Sequence, residues 1–414
     1  MAEQAANKVP QIRFKGFDGT WEEKKLGTLC AIGDADHWMP ETTSQGIPYV
    51  MTGDFFGVNE IAFDNAKLIS EADYEKLTRK IKPELGDILF ARYASVGAVR
   101  LVRTARRFIV SYSCAILKNN NSFSSQNLFY LLQSDRSQNQ LKQSINTGSQ
   151  GNVGIESLKQ LAAIFPDKSE QTQIGEYFRA LDSLIELHQR KHDKLVTLKK
   201  AMIQKMFPQP GATTPEIRFK GFEGDWVEKK LGECALIQRG GSPRPIEDFI
   251  TQEANGINWV KIGDVKLGSR YITKTEGKIK PEGVSKSREV FKGDLILSNS
   301  MSFGRPYLMA IDGCIHDGWL LIRNDKNLFD LDYLLQLLSS ETMTEQYRSL
   351  AAGGVVNNLN SALVQSTNIS FPDKPEQQKI GIYFRQLDAL ISQHATQLQK
   401  LKQLKSACLE KMFV

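Results

Sequence analysis

The sequence predicts an α+β protein that carries one architecture twice: two similar α/β domains, each followed by a long coiled-coil helix. Three observations predict it. The first is a repeated opening, PQIRFKGFDGTWEEKKLG at Pro10–Gly27 and PEIRFKGFEGDWVEKKLG at Pro215–Gly232, identical at 14 of 18 positions. The second is a repeated ending, Phe165–Phe207 and Phe371–Phe413, identical at 24 of 43 positions. The third is the contrast between them: the inserts, roughly Thr28–Ile164 and Glu233–Ser370, are about equally long yet match poorly. A duplicated frame around two diverged inserts suggests two similar platforms with different recognition surfaces. Two copies of one partner would keep such a frame fixed.

A chain of 414 residues is too long for one ordinary core and suits two globular domains. Its 41% hydrophobic and 24% charged residues are those of an ordinary globular protein. No run of about 18 apolar residues is present, so no membrane span is expected. The opening MAEQAANKVPQ lacks the apolar stretch of a signal peptide. Five cysteines, odd in number and without a CxxC pair, predict reduced thiols in a cytoplasm rather than disulfides or a zinc site. The net charge of +6 is unevenly spread. Arg79–Arg107 holds eight basic residues against two acidic, and Lys261–Lys292 nine against four. Such clusters can neutralise phosphates, although a solvated strand edge has the same composition.

The endings read as helices. Asp167-x-x-Glu170 and Asp373-x-x-Glu376 have the form of capping boxes. Heptad-spaced positions follow: Ile174, Phe178, Leu181, Ile185, His188 and onward, then Ile380, Phe384, Leu387, Ile391, His394 and onward. Each helix should be about 55 Å long at about 1.5 Å per residue. Neither can bury its stripe alone, and the other copy is the obvious partner. Pro208-Gln-Pro210-Gly211-Ala-Thr-Thr-Pro215 stops the first helix and marks a linker. The expected division is 1–164, 165–207, 208–214, 215–370 and 371–414. Within the inserts, IPYVM before Gly53-Asp54 matches INWVKI before Gly263-Asp264, and Gly86-Asp87 matches Gly293-Asp294. Helical runs are expected near Asn127–Gln138 and Leu331–Leu350. A Gly/Asn segment, Thr147–Asn152, loosely matches Ala352–Asn358.

Catalytic motifs are missing. No P-loop, no GxGxxG and no HExxH is present, and His192 is matched by Leu398 in the second copy, which argues against a shared metal role. No nucleophile, base and oxyanion donor assemble. Recognition chemistry is present instead. Arg92, Tyr93 and Ser95 follow one Gly-Asp strand; Asn299, Ser300, Ser302 and Arg305 follow the other. Arginine and asparagine can read guanine and adenine edges, and serine and tyrosine can contact bases or phosphates. Arg79, Lys80 and Lys261 belong to the basic clusters. The early loops with Asp36, His37 and Trp38, and with Arg239 and Arg244, are further candidates.

Taken together, these blocks resemble the specificity (S) subunit of type I restriction-modification enzymes, over the whole chain. The FPDK-x-EQ-x-x-I-G-x-YF-R-x-LD-x-LI segments carry the resemblance best, with KLG and G-D-[IL] in support. The resemblance implies two target recognition domains in pseudo-twofold arrangement, each reading one half of a bipartite, asymmetric DNA site. It implies long antiparallel helices that separate them and hold two methyltransferase (M) subunits; Phe178, Leu181, Ile185, His188, Phe384, Leu387, Ile391 and His394 are the expected coiled-coil and subunit-interface residues of those helices. His188 and His394 should then meet near the middle of the pair. S-adenosylmethionine would belong to the M subunits, and ATP and Mg to restriction (R) subunits. This chain would bind no cofactor and catalyse nothing. The alternatives are a coiled-coil scaffold or nucleic-acid-binding protein of another kind, or an enzyme with an unrecognised site.

Overall fold

A computed structural model describes residues 9–145, 151–265, 269–299, 304–352 and 358–414. It divides into two compact units, Met1–Arg190 with Ala395–Val414, and Lys191–His394. Each long helix, Lys168–Met206 or Lys374–Met412, is therefore shared between units. This differs from the division expected, in which each helix was a segment of its own. The physical reason is that the start of each helix is built into the core of the domain that precedes it, while its end is built into the core of the other unit.

The first unit holds a four-stranded antiparallel sheet in the order Ile32–Asp34, Cys114–Leu117, Ile88–Ala91, Val99–Leu101. Its central strands are buried on both faces, which explains their unbroken apolar runs. A three-stranded sheet follows, with Ile47–Val50 antiparallel to Lys67–Ile69 and parallel to Ile109–Val110. The second unit repeats the plan. One sheet runs Leu236–Arg239, Trp319–Arg323, Leu295–Ser298, Pro306–Met309, Tyr271–Ile272. The other places Ile257–Val260 antiparallel to Gly277–Ile279 and parallel to Gly313–Ile315. The expected single helical runs are each two helices: Ser125–Leu131 and Asp135–Gln143, then Leu331–Leu338 and Glu341–Ala352. The breaks fall where Ser134 and Ser340 turn their hydroxyls onto the backbone three residues on.

The repeated frame is held by contacts between its own two ends. Glu170 is fully buried and accepts both arms of the Arg13 guanidinium at 2.7 Å, and also the Trp21 indole N–H at 3.2 Å. In the second unit Arg218 grips Glu376 in the same way at 2.8 Å. The capping boxes are thus half boxes. Asp167 and Asp373 cap the amides of Glu170 and Glu376, but the glutamates turn away to the arginines. Gln171 and Gln377 complete the frame, each donating to a Phe-Pro carbonyl at 2.9 Å and accepting from a helix-start amide at Ser124 or Asp330.

The expected antiparallel packing of the helices is present inside each unit. In the first, Phe178 stacks on Phe413, Tyr177 meets Cys408 at 3.4 Å, and Lys405 pairs with Asp182 at 2.7 Å. In the second, Phe384 stacks on Phe207 and Lys199 pairs with Asp388 at 2.7 Å. Phe178, Leu181, Ile185, Phe384 and Leu387 are buried, while Ile391 is half-buried. His188 lies in the first unit and His394 closes the second; both are half-buried.

Candidate nucleic-acid interface

In each unit three loops converge at one end of the sheets, joined by the same backbone hydrogen bonds. In the first unit the amide of Ser111 donates to Val50, that of Arg92 to Ser113, and that of Val153 to Arg92, at 2.9, 2.9 and 3.1 Å. In the second, His316 donates to Val260, Asn299 to Gly318, and Leu359 to Asn299, at 3.1, 3.0 and 3.1 Å. Arg92 therefore corresponds to Asn299, and Tyr112 to Asp317. The Gly-Asp repeats make this possible. Asp54 and Asp264 each close a turn by accepting the amide three residues back at 2.7 Å, and Asp87 and Asp294 do the same at 2.7 and 2.8 Å.

On this shared backbone the chemistry differs. The first unit centres on Asp34, whose carboxylate accepts from Lys80 at 2.9 Å and His37 at 3.2 Å and pairs with the Arg92 guanidinium. Burial pushes the Asp34 carboxyl up, but Lys80, Arg92 and His37 outweigh it and hold it below the usual range. His37 lies flat on Tyr112, centroids 4.8 Å apart, and Tyr93 meets Tyr112 edge-on at 6.2 Å. The second unit centres on Asp317. It accepts from Ser242 at 3.0 Å and pairs with His316 at 2.9 Å and Arg244 at 3.4 Å. Burial opposes its ionisation as well, and Ser242, His316, Arg244 and Arg239 prevail. Its backbone carbonyl accepts from Asn299 at 2.9 Å and Arg239 at 3.4 Å.

The expected contact residues fall into two groups. Arg92 and Asn299, each 5% exposed, are turned inward as supports. Arg92 also donates to the carbonyls of Val153 at 2.9 Å and Tyr112 at 3.2 Å, so its fork holds three loops together. Arg79, Lys80, Ser95, Arg239, Arg244, Lys261 and Arg305 are exposed, and Tyr93 is half-buried. Ser300 and Ser302, and most of the two Gly/Asn segments, lie outside the described residues. Beside the first site the helix Glu71–Thr78 sets Lys76 over the Trp38 ring at 4.0 Å, and Arg107 over Tyr74 at 4.6 Å. The second unit has Lys286 over Phe249 at 4.6 Å in the corresponding place. Tyr112, His316 and Asp317 were not singled out in the sequence. Their signal was the alignment of Ile109–Ser113 with Cys314–Gly318, which becomes visible only once the parallel strand pairs are known.

Among the described residues no group of three or more His, Cys, Asp or Glu could hold a metal ion. No helix of the described residues is long and apolar enough to cross a membrane. All five cysteines are unbonded and buried.

Paired polar loop surfaces on one duplicated scaffold define a two-headed recognition protein. The model for the type I restriction modification DNA specificity domain matches residues 18–197 and again 223–403, and the chain belongs to that family. A protein assigned as the type I restriction enzyme MjaX specificity subunit of Methanocaldococcus jannaschii is 23% identical over 335 residues, 78% of this chain and 76% of that one. The crystal structure of a type I restriction-modification S subunit from M. genitalium shares the fold, with a TM-score of 0.62 at 16% identity, over 98% of this chain and 99% of that one. A chain from a structure on complex assembly and conformational transition of the type I system gives a TM-score of 0.53 at 20% identity, over 94% and 96%.

Proposed function

We propose that this chain is the DNA-specificity subunit of a type I restriction-modification complex, with each unit reading one half of a bipartite site. The observation that carries the reading is the pair of loop sites: loops joined by the same backbone hydrogen bonds carry Tyr93 and Tyr112 in one unit and Asp317 in the other, and different polar side chains gather around them, His37 and Lys80 on Asp34 in the first, Arg244 and Ser242 on Asp317 in the second. A scaffold that only joined partners would gain nothing from such divergence on a retained backbone. The chain itself does not catalyse; S-adenosylmethionine belongs to M subunits, and ATP and Mg to R subunits that join them.

Two M subunits are the partners the frame suits. Leu184 and Leu404 in the first unit, and Leu198 and Leu390 in the second, are exposed at equivalent positions of the long helices. Exposed leucine at the same place in both copies supports a partner present twice.

Replacement of Thr28–Ile164 by the insert of another such subunit tests the reading. Mapping of methylated adenine should show one half-site changed, with the other half and the spacing retained. Both halves changing together, or neither, would refute it.

A further inference from the structure

We infer that His37 is a base-reading residue of the first unit, an assignment that rests on the DNA-specificity reading above. The imidazole is held on two sides yet remains open. One face lies on Tyr112, with an interplanar angle of 19°. One edge is tied to Asp34 through Nε2 at 3.2 Å. The side chain is nevertheless 59% exposed. Asp34 is in turn fixed by Lys80 and by the buried Arg92, which reaches the backbone of Tyr112 and Val153. Four segments of chain thus position one exposed ring.

That outlay does not serve stability, because an exposed ring buries little apolar surface. It serves preorganisation: a polar group whose plane and rotation are already set loses little freedom when a ligand arrives. With Nε2 donating to the carboxylate, Nδ1 is the acceptor of the neutral ring, and it makes no hydrogen bond among the described residues. An outward acceptor in a fixed plane complements the exocyclic amino groups of bases, N6 of adenine and N4 of cytosine. Arg92 does not compete for this role, since it is buried and its Nε and Nη1 donors are spent inside. The second unit has Asp317 in the place of Tyr112 and so lacks the aromatic ledge, which confines the device to one half-site.

The test compares methylation maps made by the assembled methyltransferase carrying the parent chain, His37→Phe, Tyr112→Ala, or the replaced Thr28–Ile164 insert. Phenylalanine keeps the stack and removes both nitrogens. His37→Phe should make one position of the first half-site degenerate, with discrimination there reduced about tenfold, as for one lost hydrogen bond. The second half-site and the spacing should not change. Tyr112→Ala should weaken discrimination at the same position. An intact parent motif with His37→Phe would overturn the assignment. So would an effect of Tyr112→Ala confined to another position. Loss of methylation at every site, together with a lowered unfolding temperature, would make His37 structural and overturn it too. If the replaced insert changes the motif and His37→Phe does not, the base-reading assignment fails alone. If the replaced insert changes nothing, the DNA-specificity reading fails with it.

Discussion

Lys199 and Lys405 occupy equivalent positions in the two long helices, and each pairs with the equivalent aspartate, Asp388 or Asp182, at 2.7 Å. Their company differs. Asp182 also accepts from the Tyr130 hydroxyl at 2.7 Å, whereas Asp388 also pairs with the Arg270 guanidinium. Two cations therefore share one carboxylate in the second unit, and burial, with Arg270 in support, draws Lys199 down to about 8. Its ordinary value is 10.5, so between the two the unfolded chain holds a proton that the folded chain has released. Stability rises with pH across that window, and below pH 8 the full cost of charging Lys199 remains. Compared with Lys199→Met, the parent should gain on the order of 2 kcal/mol between pH 8 and 10 in urea unfolding. At pH 7 Lys199→Met should be neutral or stabilising, because it removes the cost of charging Lys199 while Arg270 still neutralises Asp388. Lys405→Met strands a buried carboxylate and should cost about 3 kcal/mol. Equal losses at pH 7 would show that the two pairs are not distinguished by Arg270. None of this was legible in the sequence, where the two Lys-Asp pairs look the same; Arg270 reaches Asp388 only through the fold. The same limit applies to Arg92. Its place in a loop was readable, but its inward direction depends on Asp34, which is remote in sequence.

At the scale of the element, the heptad pattern correctly marks two long helices but says less about what covers each stripe. Phe178 packs on Tyr130 of the preceding domain, with ring centroids 5.0 Å apart, as well as on Phe413. The glycines three residues before Phe178 and Phe384, in the YF motif, show how close that packing is. A Cβ on Gly381 would lie 2.5 Å from Oδ1 of Asp330 and 3.0 Å from the amide of Tyr333. Asp330 caps the helix Leu331–Leu338 through that amide, so alanine would push the cap aside. At Gly175 the nearest atoms are 3.1 and 3.2 Å away, on Gln126 and Asn127. Alanine improves helix propensity by about 1 kcal/mol at either site. Gly381→Ala should still destabilise by about 2 kcal/mol in thermal unfolding, from the lost cap and overpacking. Gly175→Ala should be milder, within about 1 kcal/mol. A stabilised Gly381→Ala protein would mean that the helices move apart to admit the methyl group. The motif I-G-x-YF was visible as a repeat; its cause, a helix start lying across the glycine, was not.

On the scale of the whole molecule, the duplication was plain, and with it two α/β domains and the long helices. The division of the chain was harder to foresee, because each helix contributes to both compact units, and no local pattern reports a contact between residues more than two hundred positions apart. One such contact has a topological consequence. The amide of Ile12 donates to the carbonyl of Lys411 at 3.0 Å, and the amide of Ile217 donates to that of Lys205 at 2.8 Å. The second junction is bridged covalently by residues 208–214, and the first has the same geometry without that bridge. In their contacts the two junctions are therefore equivalent. A permuted chain, opened within 208–214 and joined between Phe413 and Pro10 by a copy of that linker, should unfold within about 1 kcal/mol of the parent, since the native contacts are retained and only loop closure changes. It should also direct methylation to the same bipartite sequence. A permuted chain that failed to fold would give the order of the two halves a meaning beyond their contacts. If it folds and functions, the order of the two halves along the chain is immaterial, and the frame is specified by the contacts at each junction.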